Sequence, residues 1–251
     1  MTLLEVQGLS KRFGGVQAVK DVSFGVEKGT IKAVIGPNGA GKTTLFDLVS
    51  GFRAPDAGTV RLRDVPVQGR PPHAIAALGM SRTFQNIKLF GHMPALENVM
   101  VGRHVRSRAG FLGGMLQPPG TRREEREIAG AALEAMDFLG VRELADAPAG
   151  SLAYGQQRAV ELARALAGGP EILLLDEPAA GLNMRETADL AKLVVRIRDR
   201  GVTVLLVEHD MSLVMGICDE VVVLCFGEKI AEAAPRDVQR NPDVVRVYLG
   251  E

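Results

Sequence analysis

The chain has 251 residues, 46% of them apolar and 24% charged, which suits one well-filled α/β domain with room for a subdomain. Its 30 Lys and Arg residues balance 30 Asp and Glu residues, which excludes a global electrostatic pull toward nucleic acid or anionic lipid. The apolar runs are strand-length and too short for a transmembrane helix, no signal peptide is expected from a start with Glu5 and no apolar stretch, and Cys218 and Cys225 fit no metal spacing and read as buried or half-buried thiols of a reducing compartment.

In chain order, short β-branched runs broken by glycine come first: LLEVQG (3–8), VSFGVEKG (22–29) and GTVRLRD (58–64) alternate as antiparallel strands do. IKAVIG (31–36) differs, because an apolar strand runs straight into a glycine loop and a helix. From about residue 71 the pattern turns helical. The Gly/Pro-rich stretch 106–120 has no period and reads as an irregular surface insertion with mobile parts. Residues 121–140 read as a helix with Thr121 and Glu124 as a capping box, a stripe of Ile128, Ala132, Met136 and Leu139, and a stop at Gly140. The charge run 122–127 reads as a solvated first turn.

SLAYGQQRAVELARAL (151–166) is a helix whose second half has an ordinary apolar face, Val160, Leu162, Ala163 and Leu166. Its entrance is crowded instead by Tyr154, Gly155, Gln156 and Gln157, which a plain connector does not need. Beyond residue 170 buried strands alternate with helices: ILLLD (172–176), a helix with Asn183 as N-cap, Glu186 behind it and Gly201 at its end, then VTVLLV (202–207) and EVVVLC (220–225). Such alternation implies a mostly parallel sheet covered on both faces. The tail offers one or two short helices.

GPNGAGKTT (36–44) fits G-x-x-x-x-G-K-[ST] with a strand before it and a helix after it. Glycines let backbone N–H groups wrap a phosphate, and the helix adds its positive N-terminal end. Lys42 supplies a point charge to the outer phosphates and the Thr43 hydroxyl suits Mg²⁺. Asp176 and Glu177 stand at the C-terminal end of a buried strand, where open α/β sheets bind ligands. Asp176 suits Mg²⁺, directly or through water, and Glu177 can take a proton from an attacking water. Phosphoryl transfer asks for positioning and charge neutralisation, and this set meets that need for ATP hydrolysis.

In this order and spacing the motifs resemble those of the ATP-binding-cassette family, over nearly the whole chain. Gly36, Asn38, Gly39, Ala40, Gly41, Lys42, Thr43 and Thr44 look like its Walker A loop. Gln85, in SRTFQNIKLF, is similar to the Q-loop glutamine, a catalytic and metal-side residue. Leu152, Ala153, Tyr154, Gly155 and Gln156 stand where the family has its signature, and Asp176 and Glu177 where it ends its Walker B strand. AAGLN (179–183), closing on Asn183, resembles the D-loop, His209 the switch histidine, and Phe13 the aromatic that stacks on adenine; a plain core residue is the alternative for Phe13, and a lone histidine is more often structural, but the place of His209 just past a core strand beside the phosphate site favours catalysis. Two departures stand out. Ala153 replaces the usual signature serine, removing one hydroxyl contact to the γ-phosphate, and Asn183 stands in place of the usual aspartate.

The resemblance implies an α/β P-loop NTPase of ABC type: a mostly parallel core sheet with an antiparallel β subdomain and an inserted helical subdomain. Residues 1–88 and 160–234 would form the nucleotide-binding core, 89–159 the helical subdomain with the signature, and 235–251 a C-terminal helical tail. It implies ATP and Mg²⁺ as ligands, the metal on Thr43, Gln85 and Asp176, and pairing with a second cassette whose γ-phosphate faces the signature helix. It also implies two integral-membrane permease subunits, an extracytoplasmic substrate-binding protein acting indirectly, no nucleic acid, and a peripheral place on the cytoplasmic face of the inner or plasma membrane. Residues 81–104, SLAYGQQR, DEPAAGLN, the 106–120 insertion and the ending NPDVVRVYLGE look like the ATPase subunits of branched-chain amino acid importers. Cassettes for urea or short amides look similar, as do those that extract lipopolysaccharide, which usually keep a more standard signature. A soluble cassette would typically carry coiled coils, zinc modules or a second cassette in the chain.

Overall fold

The computed structural model describes residues 1–104 and 119–249, so most of the 106–120 insertion lies outside the described residues. In chain order the elements are β1 (Thr2–Phe13), β2 (Val16–Glu27), β3 (Ile31–Ile35), α1 (Lys42–Val49), β4 (Ala57–Leu62), β5 (Val65–Pro66), α2 (Pro72–Ala77) and β6 (Met80–Arg82). There follow α3 (Ala95–Arg103), α4 (Pro119–Phe138) and α5 (Tyr154–Ala167), with single 3₁₀ turns at Arg142–Leu144 and Ala149–Ser151. The last part holds β7 (Ile172–Asp176), α6 (Met184–Asp199), β8 (Thr203–Val207), α7 (Met211–Ile217), β9 (Glu220–Cys225), β10 (Glu228–Ala233), α8 (Pro235–Arg240) and α9 (Pro242–Leu249).

The chain forms two compact units, residues 1–85 with 171–251, and residues 86–170. The first contains two sheets. One is antiparallel, ordered β2-β1-β4-β5, and the other runs β10-β9-β3-β8-β7-β6. In the second sheet β9, β3, β8, β7 and β6 are parallel and only β10 is antiparallel. Every residue of β3, β7 and β8 is buried, as expected of parallel strands covered on both faces. Their apolar faces join Leu4, Leu9, Leu45, Phe46 and Leu48 in one core, each fully buried large side chain contributing about 1.5–3 kcal/mol.

The register of these strands decides what meets at the sheet's C-terminal edge. Val34 lies opposite both Val207 and Val222, and Asp176 opposite Val207. The residues that follow β3, β7 and β8 therefore emerge side by side, which brings together segments far apart in sequence.

The second unit packs α3, α4 and α5 around Ala95, Val99, Ala132, Met136, Val160 and Ala163. Its membership corrects the expected boundary at residue 159, which cut α5 in two. The helix is one element on one core, so residues 160–170 stay with the helical unit. Helix α4 is already running at Pro119, so Thr121 lies inside it rather than at its cap, and Pro119 and Gly120 are helical rather than irregular. The chain turns at Gly140 with φ +69, as the sequence suggests. Among the described residues no helix is long and apolar enough to cross a membrane. Cys218 is buried and Cys225 half-buried, and burial pushes the Cys218 thiol up to about 12.

Candidate active site

The loop after β3 is shaped by backbone crowding. A Cβ on Gly36 would lie 2.2 Å from the Leu224 carbonyl oxygen, and one on Gly41 2.2 Å from that of Ala18, both at positive φ. Only glycine lets the chain pass so close to its neighbours. Over the loop opens a cavity of about 340 Å³, lined by residues 38–44, Val16, Gln17, Ala18, Glu177 and Phe226. Helix α1 starts from Gly41 with no side-chain cap, so the N-terminal end of the helix is left to a ligand. Lys42 is buried, and its Nζ donates to the carbonyls of Gly36 at 2.7 Å and Pro37 at 3.0 Å. Burial draws its ammonium below the ordinary lysine value, and the Glu177 and Asp176 carboxylates offset part of that.

The ends of β7 and β8 complete the site. Asp176 is 3% exposed, and Arg82 donates to its Oδ2 at 2.8 Å. Burial raises the Asp176 carboxyl above the usual range, and Arg82 opposes that shift. Glu177 has φ +46, a strained conformation for a non-glycine residue, held by its N–H donating to the Val207 carbonyl at 3.0 Å. That turn separates the two neighbouring acids, one buried behind the sheet edge and one lining the cavity. Gln85 Nε2 donates to Glu177 Oε2 at 2.8 Å, and His209 Nδ1 lies 3.8 Å from the same oxygen. Thus Gln85, Glu177 and His209 converge beside the phosphate loop, so a water in the cavity would meet a held carboxylate.

The family model described as ABC transporter matches residues 19–180. The chain belongs to the ABC transporter family. A second model, described as branched-chain amino acid ATP-binding cassette transporter, matches residues 228–251. The chain is 48% identical to the high-affinity branched-chain amino acid transport ATP-binding protein BraF of Pseudomonas aeruginosa, over 99% of this chain and 98% of the relative. It is 45% identical to the corresponding protein LivG of Escherichia coli over the same shares. A crystal structure of an ATP-binding cassette of an ABC transporter in its ADP conformation superposes with TM-score 0.86 and 32% identity, covering 100% of both chains. The cassette is therefore a nucleotide-binding P-loop ATPase, with the mixed α/β fold expected of it.

Residues 152–156, which resemble the signature, belong to the helical unit. Leu152 is buried, and Ala153 is the N-cap of α5 with no side-chain acceptor to offer. Gln156 Oε1 accepts the Ala153 N–H at 3.0 Å, while Tyr154 is 48% exposed and its hydroxyl accepts from Arg158 Nη2 at 3.0 Å. A Cβ on Gly155 would meet nothing within 4 Å. The helix entrance is therefore open at its glycine.

In the nucleotide-binding unit, Asn183 is the N-cap of α6. Its Oδ1 accepts the Arg185 and Glu186 N–H groups at 3.0 and 3.1 Å, and Glu186 accepts the Asn183 N–H at 2.9 Å. Asparagine caps as well as aspartate does, which accounts physically for the substitution. Phe13 is 40% exposed at the end of β1, with the Arg53 guanidinium 5.2 Å and the Lys11 ammonium 5.8 Å from its ring centroid. It lies outside the lining of the phosphate cavity, whose exposed aromatic is Phe226.

Two residues escaped the sequence reading. Glu208 is fully buried and accepts the N–H groups of Ala179, His209 and Asp210 at 2.7, 2.9 and 3.2 Å, tying the segment after β7 to His209. The signal was present: like Asp176, it is an acid at the end of a largely apolar strand. Arg82 carries no comparable signal, since its partners Asp47 and Asp176 are distant in sequence.

Proposed function

We propose that this cassette is the ATP-hydrolysing subunit of an importer for branched-chain amino acids, seated peripherally on the cytoplasmic face of the membrane. Near full-length likeness to proteins named for that transport supports the substrate class. The convergence of Gln85, Glu177 and His209 beside the phosphate loop carries the chemistry. The N–H groups of residues 38–44 and Lys42 cradle the outer phosphates of ATP, and Phe13 packs on the base. A water attacks the γ-phosphorus as Glu177 takes its proton. The bond to the bridging oxygen breaks, its electron pair leaves with ADP, and the proton passes on to the phosphate product. Gln85 and His209 hold Glu177 and the water in line.

The residues present fit Mg²⁺: Arg82 occupies only Oδ2 of Asp176, the Gln85 amide donates its nitrogen and keeps its oxygen, and Thr43 lines the cavity. The ion would neutralise charge on the phosphates. The open start of α5, with Ala153, Gly155 and Gln156, receives the γ-phosphate held by a second cassette, identical or paralogous, and Asn183 lies in the D-loop beside that joint. Two integral-membrane permease subunits and an extracytoplasmic binding protein complete the importer.

Glu177→Gln tests the reading. Turnover should fall about 10²- to 10⁴-fold with ATP affinity retained, and an ATP-bound dimer should accumulate in light scattering. A variant hydrolysing ATP at the wild-type rate would remove Glu177 as the base. Mild-detergent extraction of the tagged chain should bring down two polytopic membrane proteins. Recovery with ribosomes or DNA-repair proteins would sink the transport assignment and leave the ATPase.

A further inference from the structure

Arg82 closes β6, three residues before Gln85. Its side chain is 6% exposed, a costly place for a guanidinium. Nη1 donates to Asp47 Oδ1 and to Ser50 Oγ, both at 2.8 Å, and Nη2 donates to Asp176 Oδ2 at 2.8 Å. The rings of Phe84, Phe52 and Phe46 surround the ion, with centroids at 5.3, 5.4 and 5.7 Å. Stability alone does not call for a charge among these rings, since apolar side chains of similar volume often serve as well or better.

The fork has a geometric consequence that an apolar residue could not produce. One prong takes Oδ2 of Asp176 and leaves Oδ1 as the oxygen available to a metal. The other grips Asp47 on α1, the helix that the phosphate loop opens. Arg53 Nε donates to the second oxygen of Asp47 at 3.1 Å, and Arg53 lies over Phe13. A line of alternating charge thus runs from the carboxylate on the metal side to the aromatic on the base side, within the nucleotide-binding unit.

We propose that Arg82 is a positioning residue for the ATPase reaction, its guanidinium fork setting which Asp176 oxygen meets Mg²⁺ and locking the end of β7 to the phosphate-loop helix. The inference rests on the assignment of Asp176 to Mg²⁺ made above. Lysine cannot replace the fork, because one ammonium does not hold two carboxylates and a hydroxyl in a fixed plane.

The experiment is equilibrium binding of a fluorescent ATP analogue to Arg82→Lys and Arg82→Gln, with chelator and across a Mg²⁺ titration, alongside thermal melts. Without Mg²⁺ both variants should bind within about twofold of wild type, since the backbone cradle and Lys42 are untouched. The half-saturating Mg²⁺ concentration should rise about threefold in Arg82→Lys and about tenfold in Arg82→Gln. Arg82→Lys keeps a buried, paired charge, so it decides the matter if Arg82→Gln does not fold. A Mg²⁺ response equal to wild type in a folded Arg82→Lys overturns the proposal, as does equal loss of binding with and without the ion, which would make Arg82 a fold scaffold only. A wild-type protein whose nucleotide binding ignores Mg²⁺ would instead remove the metal assignment beneath it.

Discussion

Helices α1 and α5 both begin at an N-cap residue, Gly41 and Ala153, whose side chain offers no acceptor, yet their first turns are furnished differently. Around the start of α1 the nucleotide-binding unit assembles Lys42, the glycines of the loop and the Glu177 carboxylate that lines the same cavity. The glycines there are forced, because backbone oxygens crowd Gly36 and Gly41. At the start of α5, Gly155 has open space and Tyr154 stands exposed. The first turn is a place for chemistry. The second has one guanidinium against its first turn, Arg158 donating to the Tyr154 hydroxyl at 3.0 Å, and a helix N-terminus of that kind attracts an anion.

Substituting the two glycines should separate these roles most sharply. Gly41→Ala puts a methyl group on the Ala18 carbonyl at positive φ. It should lower stability by about 2 kcal/mol or more and abolish ATP binding at the same time, as read by melts and nucleotide titration. Gly155→Glu has the opposite expectation. A glutamate in the first turn of α5 should raise stability by about 1 kcal/mol, from helix propensity and the helix dipole. It should leave ATP binding to the monomer unchanged while cutting turnover about 100-fold or more by repelling the partner's phosphate. A Gly155→Glu protein with wild-type turnover would mean that α5 does not face an anion.

A smaller effect is expected where α6 begins. Asn183 satisfies two N–H groups there, so Asn183→Ala should destabilise by about 1 kcal/mol, while Asn183→Asp should stay within a few tenths in chemical denaturation. If Asn183→Asp instead changed turnover without changing stability, the residue would serve the dimer joint rather than the helix.

What could be read from the sequence divides along the same line. The phosphate loop and the ILLLDE strand end were visible because each is a local string with a local physical cause. The helix stop at Gly140 and the cap at Asn183 were visible for the same reason. The convergence of Gln85, Glu177 and His209 depends on register between parallel strands, which no local pattern encodes. The family resemblance named those three residues, but periodicity did not bring them together. Glu208 reaches Ala179, 29 residues away, and Arg82 reaches Asp176, 94 residues away, so only the folded sheet shows these links. The domain boundary at 159 failed because motif order marks function, whereas α5 obeys its own packing on α3 and α4.

The smallest expected effect tests whether α5 is open by necessity or by default. Ala153 has the extended φ −61, ψ 152 that an N-cap serine uses, so Ala153→Ser needs no backbone change. Its hydroxyl can accept an N–H of the first turn, which should stabilise the cassette by about 0.5–1 kcal/mol in denaturant melts. The same hydroxyl can rotate toward the partner's phosphate when the dimer forms, but it then gives up the bond it made within the helix. The two effects nearly cancel, so ATP-driven dimerisation should change less than twofold although the monomer is more stable. If dimer affinity rose tenfold instead, the missing hydroxyl would be a real weakness of this signature. If neither stability nor affinity moved, Gln156, whose side chain already caps Ala153 from the other direction, would be supplying all the order this helix start requires.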